Sequence, residues 1–230
     1  WGDIVPSYTH KEPFALVVNG DVVDGCHHRS THQITHNLTY QCRIAAACLR
    51  PVVEQAEGRY FHVRGTEAHV GVSGQEEESL AKELGAIPTA SGQYARNDLW
   101  INVGNRLVHC LHHIGTTGSQ AYEATAPHKH LVEMFAEAGR WGQQPPSLVV
   151  RSHRHRYIET TMPTAWGKSR IVVTPCWQLK TPFTWRIPGA AITTPHIGGI
   201  VVRWAEDSQT LFVREKVWSI ERSGTVKLEV

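Results

Sequence analysis

The run FALVVNG, from Phe14 to Gly20, limits most strongly what this chain can fold into. It is short, continuously apolar and rich in β-branched residues, the pattern of a strand covered on both faces. A strand of that kind belongs to a sheet with helices packed outside it, and the following sequence supplies them. From Asn37 to about Glu57, Leu38, Ile44, Ala45, Cys48, Leu49, Val52 and Val53 fall on roughly one helical face, with Pro51 expected to kink or interrupt it. Tyr60 to Arg64 reads as a second strand leading into Gly65. Ser73 followed by Glu76 resembles a capping box ahead of a helix through Leu84.

The segments DLWINVGN and RLVHCLHH, split by Gly104-Asn105, read as an antiparallel hairpin. Pro127 to Trp141 carries Leu131, Met134, Phe135 and Ala138 at helical spacing, and Pro145-Pro146 stops it before the strand SLVVRS. Beyond it YIETTMPT, SRIVVTPCWQL, GGIVVRWAE and TLFVREKVWSI are strand-like. The fold class expected is α/β, a four-layer α/β/β/α sandwich of mixed sheets flanked by helices, in one domain over residues 1–230.

Hydrophobic residues at 41% and charged residues at 19% match an ordinary globular protein. No apolar run approaches the roughly 20 residues that cross a bilayer, so the expectation is a cytoplasmic protein with no membrane partner. The 5 cysteines lack any C-x-x-C pair and fit reduced thiols. A net charge of +2 gives no general reason to expect duplex DNA binding, which leaves nucleic acid a route only through an active site. The chain opens on Trp1, and its first dozen residues show neither strand alternation nor a helical stripe, which suggests a start inside a larger gene product. The compositional outlier is histidine, 15 of them, so their placement matters.

Predicted strands run directly into ligand-type residues at Gly20-Asp21-Val22-Val23-Asp24, Gly65-Thr66-Glu67-Ala68-His69, Leu111-His112-His113 and Ser152-His153-Arg154-His155. Open α/β sheets gather functional groups at the carboxyl ends of their strands. Asp and His suit Zn, Mn or Fe, and a carboxylate can bridge two cations. In extended backbone His153 and His155 would project to one side and Arg154 to the other. Any single strand-end histidine is more often merely solvated, whereas converging motifs are harder to dismiss.

In this order, GDxxD, a glycine-led element ending in His, a strand-end His and H-x-H, the sequence resembles the calcineurin-like metallophosphoesterases over most of its length. That family reads D-x-H, GDxxD, GNH, a lone His and GHxH, and holds two metals. The resemblance implies a metal-dependent hydrolase of phosphomonoesters or phosphodiesters in which a metal-activated water attacks phosphorus. It implies Asp21 as the bridging ligand, His112 (or His113) and His153 on the second metal, and His155 on the first. Where the family has Gly-Asn-His, Glu67 stands for the asparagine ligand, with Thr66 as the literal alternative, and His69 stands for the catalytic histidine that protonates the leaving oxygen. Asp24 would orient ligands from behind. Ser152 replaces the glycine before H-x-H. No D-x-H precedes Asp21, so the implied fold lacks its first strand unless an upstream segment supplies it, and the metal count falls from two toward one.

His27-His28 and Gly115-Thr116-Thr117-Gly118 flank these elements and could contact phosphate, which places His28, His113 and Thr116 among candidate substrate residues. Trp177 and Gln178 could stack on a flat group of the substrate, although a core tryptophan is the commoner role. Two rival readings stand beside the phosphatase: a metal-binding module of this fold with impaired catalysis, and a nuclease whose substrate is a nucleotide or nucleic acid.

Overall fold

The computed structural model describes residues 4–27, 32–71, 73–115, 119–165, 167–187 and 189–220. After a short helix α1 (Ile4–Thr9), strands β1 (Leu16–Asn19), β2 (Tyr60–Val63) and β3 (Ala95–Arg96) form a parallel sheet in the order β1-β2-β3. Between them lie α2 (Leu38–Gln55), α3 (Glu67–Val70) and α4 (Gln75–Glu83). A second, mixed sheet holds β4 (Leu99–Val103), β5 (Arg106–Cys110), β6 (Leu148–Arg151), β7 (Ile158–Thr164) and β8 (Gly167–Val173) in the order β4-β5-β6-β8-β7. Helix α5 (Thr125–Arg140) connects β5 to β6, and β9 (Ile197–Ala205) pairs with β10 (Thr210–Trp218) as an antiparallel ribbon.

Alternation along β1 explains the layering. Leu16 and Val18 turn toward Ala45, Ala46 and Val53 of α2 and toward Leu80 and Ala81 of α4. Val17, with Phe61 of β2, turns the other way and packs against Val108, Leu148, Val150 and Val172 of the second sheet. Beyond that sheet Val149, Ile158, Ile171 and Val173 meet Leu131, Met134 and Phe135 of α5. The order helix, sheet, sheet, helix is the four-layer α/β/β/α sandwich expected from the sequence. Among the described residues no helix is long and apolar enough to cross a membrane.

Local details depart from the expectation. Helix α2 passes through Pro51 without a break, because Pro51 and Ala47, whose carbonyl loses its partner, are both exposed. Its buried face is Gln41, Ala45, Ala46, Val52 and Val53, while Ile44 and Cys48 face solvent. The expected capping box at Ser73 and Glu76 does not form. The N-cap of α4 is Gly74, at φ +60 and without a side-chain cap, so the first turn relies on Glu76, Glu77 and Glu78 at the positive end of the helix.

Strand β6 ends in Arg151, which is wholly buried. Its Nη2 lies 3.1 Å from His109 Nδ1 and 2.7 Å from His130 Nε2, and its Nη1 donates to the Val150 carbonyl at 2.7 Å. A guanidinium only donates, so both imidazoles accept and are neutral. Burial, then the Arg151 charge, pushes the pKa of each below its ordinary value, and the Asp98 carboxylate 3.4 Å from His109 Nε2 opposes this only in part. The unfolded chain therefore protonates first: this stability is present above about pH 6.5 and is lost as pH falls. Urea midpoints are expected to drop between about pH 7.5 and about pH 5, and His109→Gln, which accepts without titrating, to flatten that drop.

Candidate metal centre

Strands β1, β5 and β6 end side by side, and the residues just past them converge. Asp21 Oδ2 lies 2.8 Å from His112 Nε2 and 3.9 Å from His153 Nδ1. Asp21, His112 and His153 present ligand atoms that all lie within 4.8 Å of one another. The Asn19 carbonyl is 2.5 Å from His112 Nδ1. A carbonyl only accepts, so Nδ1 carries a proton and Nε2 is the atom that faces the carboxylate. Buried Nε2 is close to Asp21 without the alignment of a hydrogen bond and has no other partner among the described residues. Asp21 favours positive charge at that nitrogen, whether a proton or a metal supplies it, and one carboxylate with two imidazoles is the donor set of a catalytic zinc-type site.

Backbone conformation brings these side chains inward. Asp21 (φ +54), His153 (φ +72) and His155 (φ +56) occupy the left-handed region, which costs a non-glycine residue roughly 1–3 kcal/mol and persists only where the surroundings enforce it. The extended-backbone reading of His153-Arg154-His155 therefore does not hold, since these residues form bends and not a continuation of β6. Gly20 and Gly65 permit the close approach of β1 and β2. A Cβ on Gly20 would lie 2.6 Å from Gly65 Cα, and one on Gly65 would lie 2.1 Å from Asp21 Oδ1. Ser152, in place of the glycine before H-x-H, bonds Asn19 Nδ2 at 2.8 Å and Thr174 Oγ1 at 2.7 Å, tying the ends of β1, β6 and β8 together.

A second cluster adjoins the first. Asp24, His27 and His69 also present ligand atoms within 4.8 Å of one another. His27 Nε2 is 3.2 Å from Asp24 Oδ1, and His69 Nδ1 donates to the Asp24 carbonyl at 2.9 Å. That bond leaves His69 Nε2 directed toward Asp21 Oδ2 at 3.8 Å. Gln178 Nε2 reaches Asp24 Oδ1 at 3.4 Å.

The electrostatics follow from this crowding. Burial works to raise the pKa of Asp21, but its close contacts with His112 and His153 and the nearby imidazole charges outweigh it and hold the carboxyl well below the usual range. Burial works to lower His112, and Asp21 reverses that shift. His155 is pushed down to about 4 by burial and by His69 and His153, so it is neutral at physiological pH, the form that ligates metal. His113 is also lowered, by burial and by His153.

Among the sequence candidates, the structure thus joins Asp21, His112 and His153 in one group and Asp24 and His69 in the other. His155 stands in neither trio, although its titration is coupled to both. Glu67 is not brought in. Helix α3 begins at this residue, which turns its carboxylate to solvent, and Thr66 takes the inner position, its N–H donating to Asp21 Oδ1 at 2.7 Å and its Oγ1 lying 3.2 Å away. His113 is exposed, its ring 5.0 Å from that of His153. His28 and Thr116 lie outside the described residues. Trp177 is 56% exposed and is no core residue.

Two residues of the site escaped sequence reading. The sequence reads His27 with His28 as a phosphate contact, and nothing in it points His27 toward Asp24. Glu77, wholly buried on α4, accepts from the Val22 N–H at 3.1 Å and the Gly65 N–H at 2.7 Å, and lies 3.7 Å from His62 Nε2. It stands within Gln75-Glu76-Glu77-Glu78, where nothing in sequence separates an inward carboxylate from its solvated neighbours.

No family model and no curated protein matches the chain. Among solved structures it is similar to Vps29 of Chaetomium thermophilum, with TM-score 0.39 and 12% identity over 94% of this chain and 87% of that one. It is also similar to wild-type Vps29 of Entamoeba histolytica complexed with Zn²⁺ (TM-score 0.36, 13% identity, 88% and 98% covered). A third likeness is to vacuolar protein sorting 29 of Cryptosporidium parvum (TM-score 0.37, 12% identity, 91% and 100% covered). At these values the likeness assigns neither a family nor a function.

Glu77→Gln would set an amide N–H against one of two backbone donors. The variant is expected to lose about 3 kcal/mol in urea unfolding and to bind Mn²⁺ or Zn²⁺ more weakly in equilibrium dialysis, although Glu77 itself is not a ligand. Unchanged metal affinity would show that the two loops keep their places without it.

Proposed function

We propose that this chain holds a divalent cation through Asp21, His112 and His153 and hydrolyses a phosphoester beside it. The observation that carries the reading is the meeting of those three ligand atoms with His69 Nε2, which lies 3.8 Å from the same Asp21 oxygen. Mn, Zn or Fe would suit the donor set. When bound, the cation would supply Lewis-acid polarisation of a phosphoryl oxygen and a lowered pKa for a water ligand. His155, neutral and adjacent, is available to a second cation.

The chain's own residues supply the rest. Asp21 is kept ionised by its imidazole neighbours, and Thr66 fixes the orientation of its carboxylate through Oδ1. Asp24 holds the His69 ring through its carbonyl, which leaves Nε2 as the atom from which the imidazolium form hands a proton to the leaving oxygen and becomes neutral. His27 and Gln178 in turn hold the Asp24 carboxylate.

A second reading, cation binding without turnover, is favoured by one observation. With Glu67 turned outward, the Asp21 group offers three protein ligands and Thr66 adds only a neutral hydroxyl. The two readings part in one experiment. Metal content is measured beside Mn²⁺-dependent hydrolysis of aryl phosphate mono- and diesters, cyclic nucleotides and single-stranded DNA.

Asp21→Asn and His153→Ala are each expected to lose bound metal and most activity. His69→Ala is expected to keep its metal while turnover falls about 10²–10⁴-fold. A wild-type protein that binds metal and cleaves none of these esters would leave the non-catalytic reading standing.

A further inference from the structure

Arg214, Lys216 and Trp218 occupy alternate positions of β10 and so share one face, with Glu215 on the other. On the shared face, cations and rings interleave. The Arg214 guanidinium lies 4.9 Å from the centre of the Tyr8 ring, and the Lys216 ammonium lies 5.9 Å from the same ring and 5.1 Å from that of Trp218. Trp218 then meets Trp177, ring centres 5.4 Å apart.

Trp177 is 56% exposed, and it adjoins the metal centre through its neighbours. Gln178 bonds Asp24, and Phe183, further along the same loop, sets its ring edge-on to His27 at 5.6 Å. From Thr174 to Ala205 the sequence has no acidic side chain. The strip thus runs from the candidate metal centre along β10 to α1.

We infer that this strip binds single-stranded nucleic acid, with bases against Trp177, Trp218 and Tyr8 and phosphates against Arg214 and Lys216. Surface aromatic rings, of which Trp177 is exposed and Tyr8 and Trp218 are half-buried, recognise bases that are not enclosed in a duplex, and the cations beside them follow the backbone. Two cations in a chain of net charge +2 fall short of the basic stripe that holds duplex DNA. An acidic peptide would pair with the cations but give the row of rings no role. That the bound strand is also the substrate rests on the phosphoester reading above, while binding itself does not.

The test is fluorescence anisotropy of a labelled oligothymidylate of about 12 nucleotides with the full chain, in chelator so that no metal contributes. Trp177→Leu is expected to weaken binding about tenfold, and Arg214→Ser with Lys216→Ser to reduce the salt slope by about 1.4. Trp141→Leu, at a 70% exposed site just past α5, is expected to bind as the wild type does. Equal affinity in wild type and both strip variants, or duplex bound as tightly as single strand, would overturn the inference. Hydrolysis of aryl phosphates by a protein that binds no oligonucleotide would overturn it and leave the phosphoester reading standing. Oligonucleotide binding without cleavage of any ester would uphold the strip and sink that reading.

Discussion

The arrangement of the candidate metal centre depends on one buried carboxylate. Glu77 projects from α4 between the loops that leave β1 and β2, and its two oxygens accept the N–H groups of Val22 and Gly65. These N–H groups would be costly to bury unpaired. By satisfying both, Glu77 fixes the distance between the loop that carries Asp21 and Asp24 and the loop that carries Thr66 and His69. Every contact between those loops, from Thr66 on Asp21 to His69 on the Asp24 carbonyl, presupposes that spacing.

Within this frame the centre stores strain and charge together. Left-handed backbone at Asp21, His153 and His155 is unfavourable for side chains of their size, and glycine at positions 20 and 65 removes the collisions that would otherwise push the loops apart. The same compression places a carboxylate 2.8 Å from His112 Nε2, and that proximity raises the pKa of the histidine. A cation held there would take the place of the imidazolium proton as the positive charge that faces Asp21. Across β6, Arg151 and its two neutral imidazoles form a separate polar core, and they fix the end of the strand from which His153 departs.

The two clusters share Asp21 as neighbour but differ in what holds them. The Asp21 group is tied to strand ends by the Asn19 carbonyl and Ser152. The Asp24 group leans on Gln178 and Phe183, from the loop that also carries Trp177. That loop couples the chemistry to the aromatic and cationic face of β10, which neither the strand ends nor the histidines would reveal by themselves.

The sequence by itself determined the layered α/β fold, because continuous apolar runs such as FALVVNG and the 3.6-residue spacing of α5 record burial locally. It also marked Asp21, His112 and His153 as candidate ligands, since a polar residue just past a buried strand stands out against its neighbours. Other features depend on contacts far apart in the chain and were decided by the tertiary structure alone. Glu67 and Glu77 are both acids near a helix start, yet one faces water and the other is wholly buried, because the helices they sit on are turned by packing that no local pattern encodes. His27 gains its role from a loop fold, and Trp177 meets Trp218 across 41 residues of sequence only because β9 and β10 return it there. Local periodicity reports which face is buried, whereas the partner on that face is fixed only when the layers close.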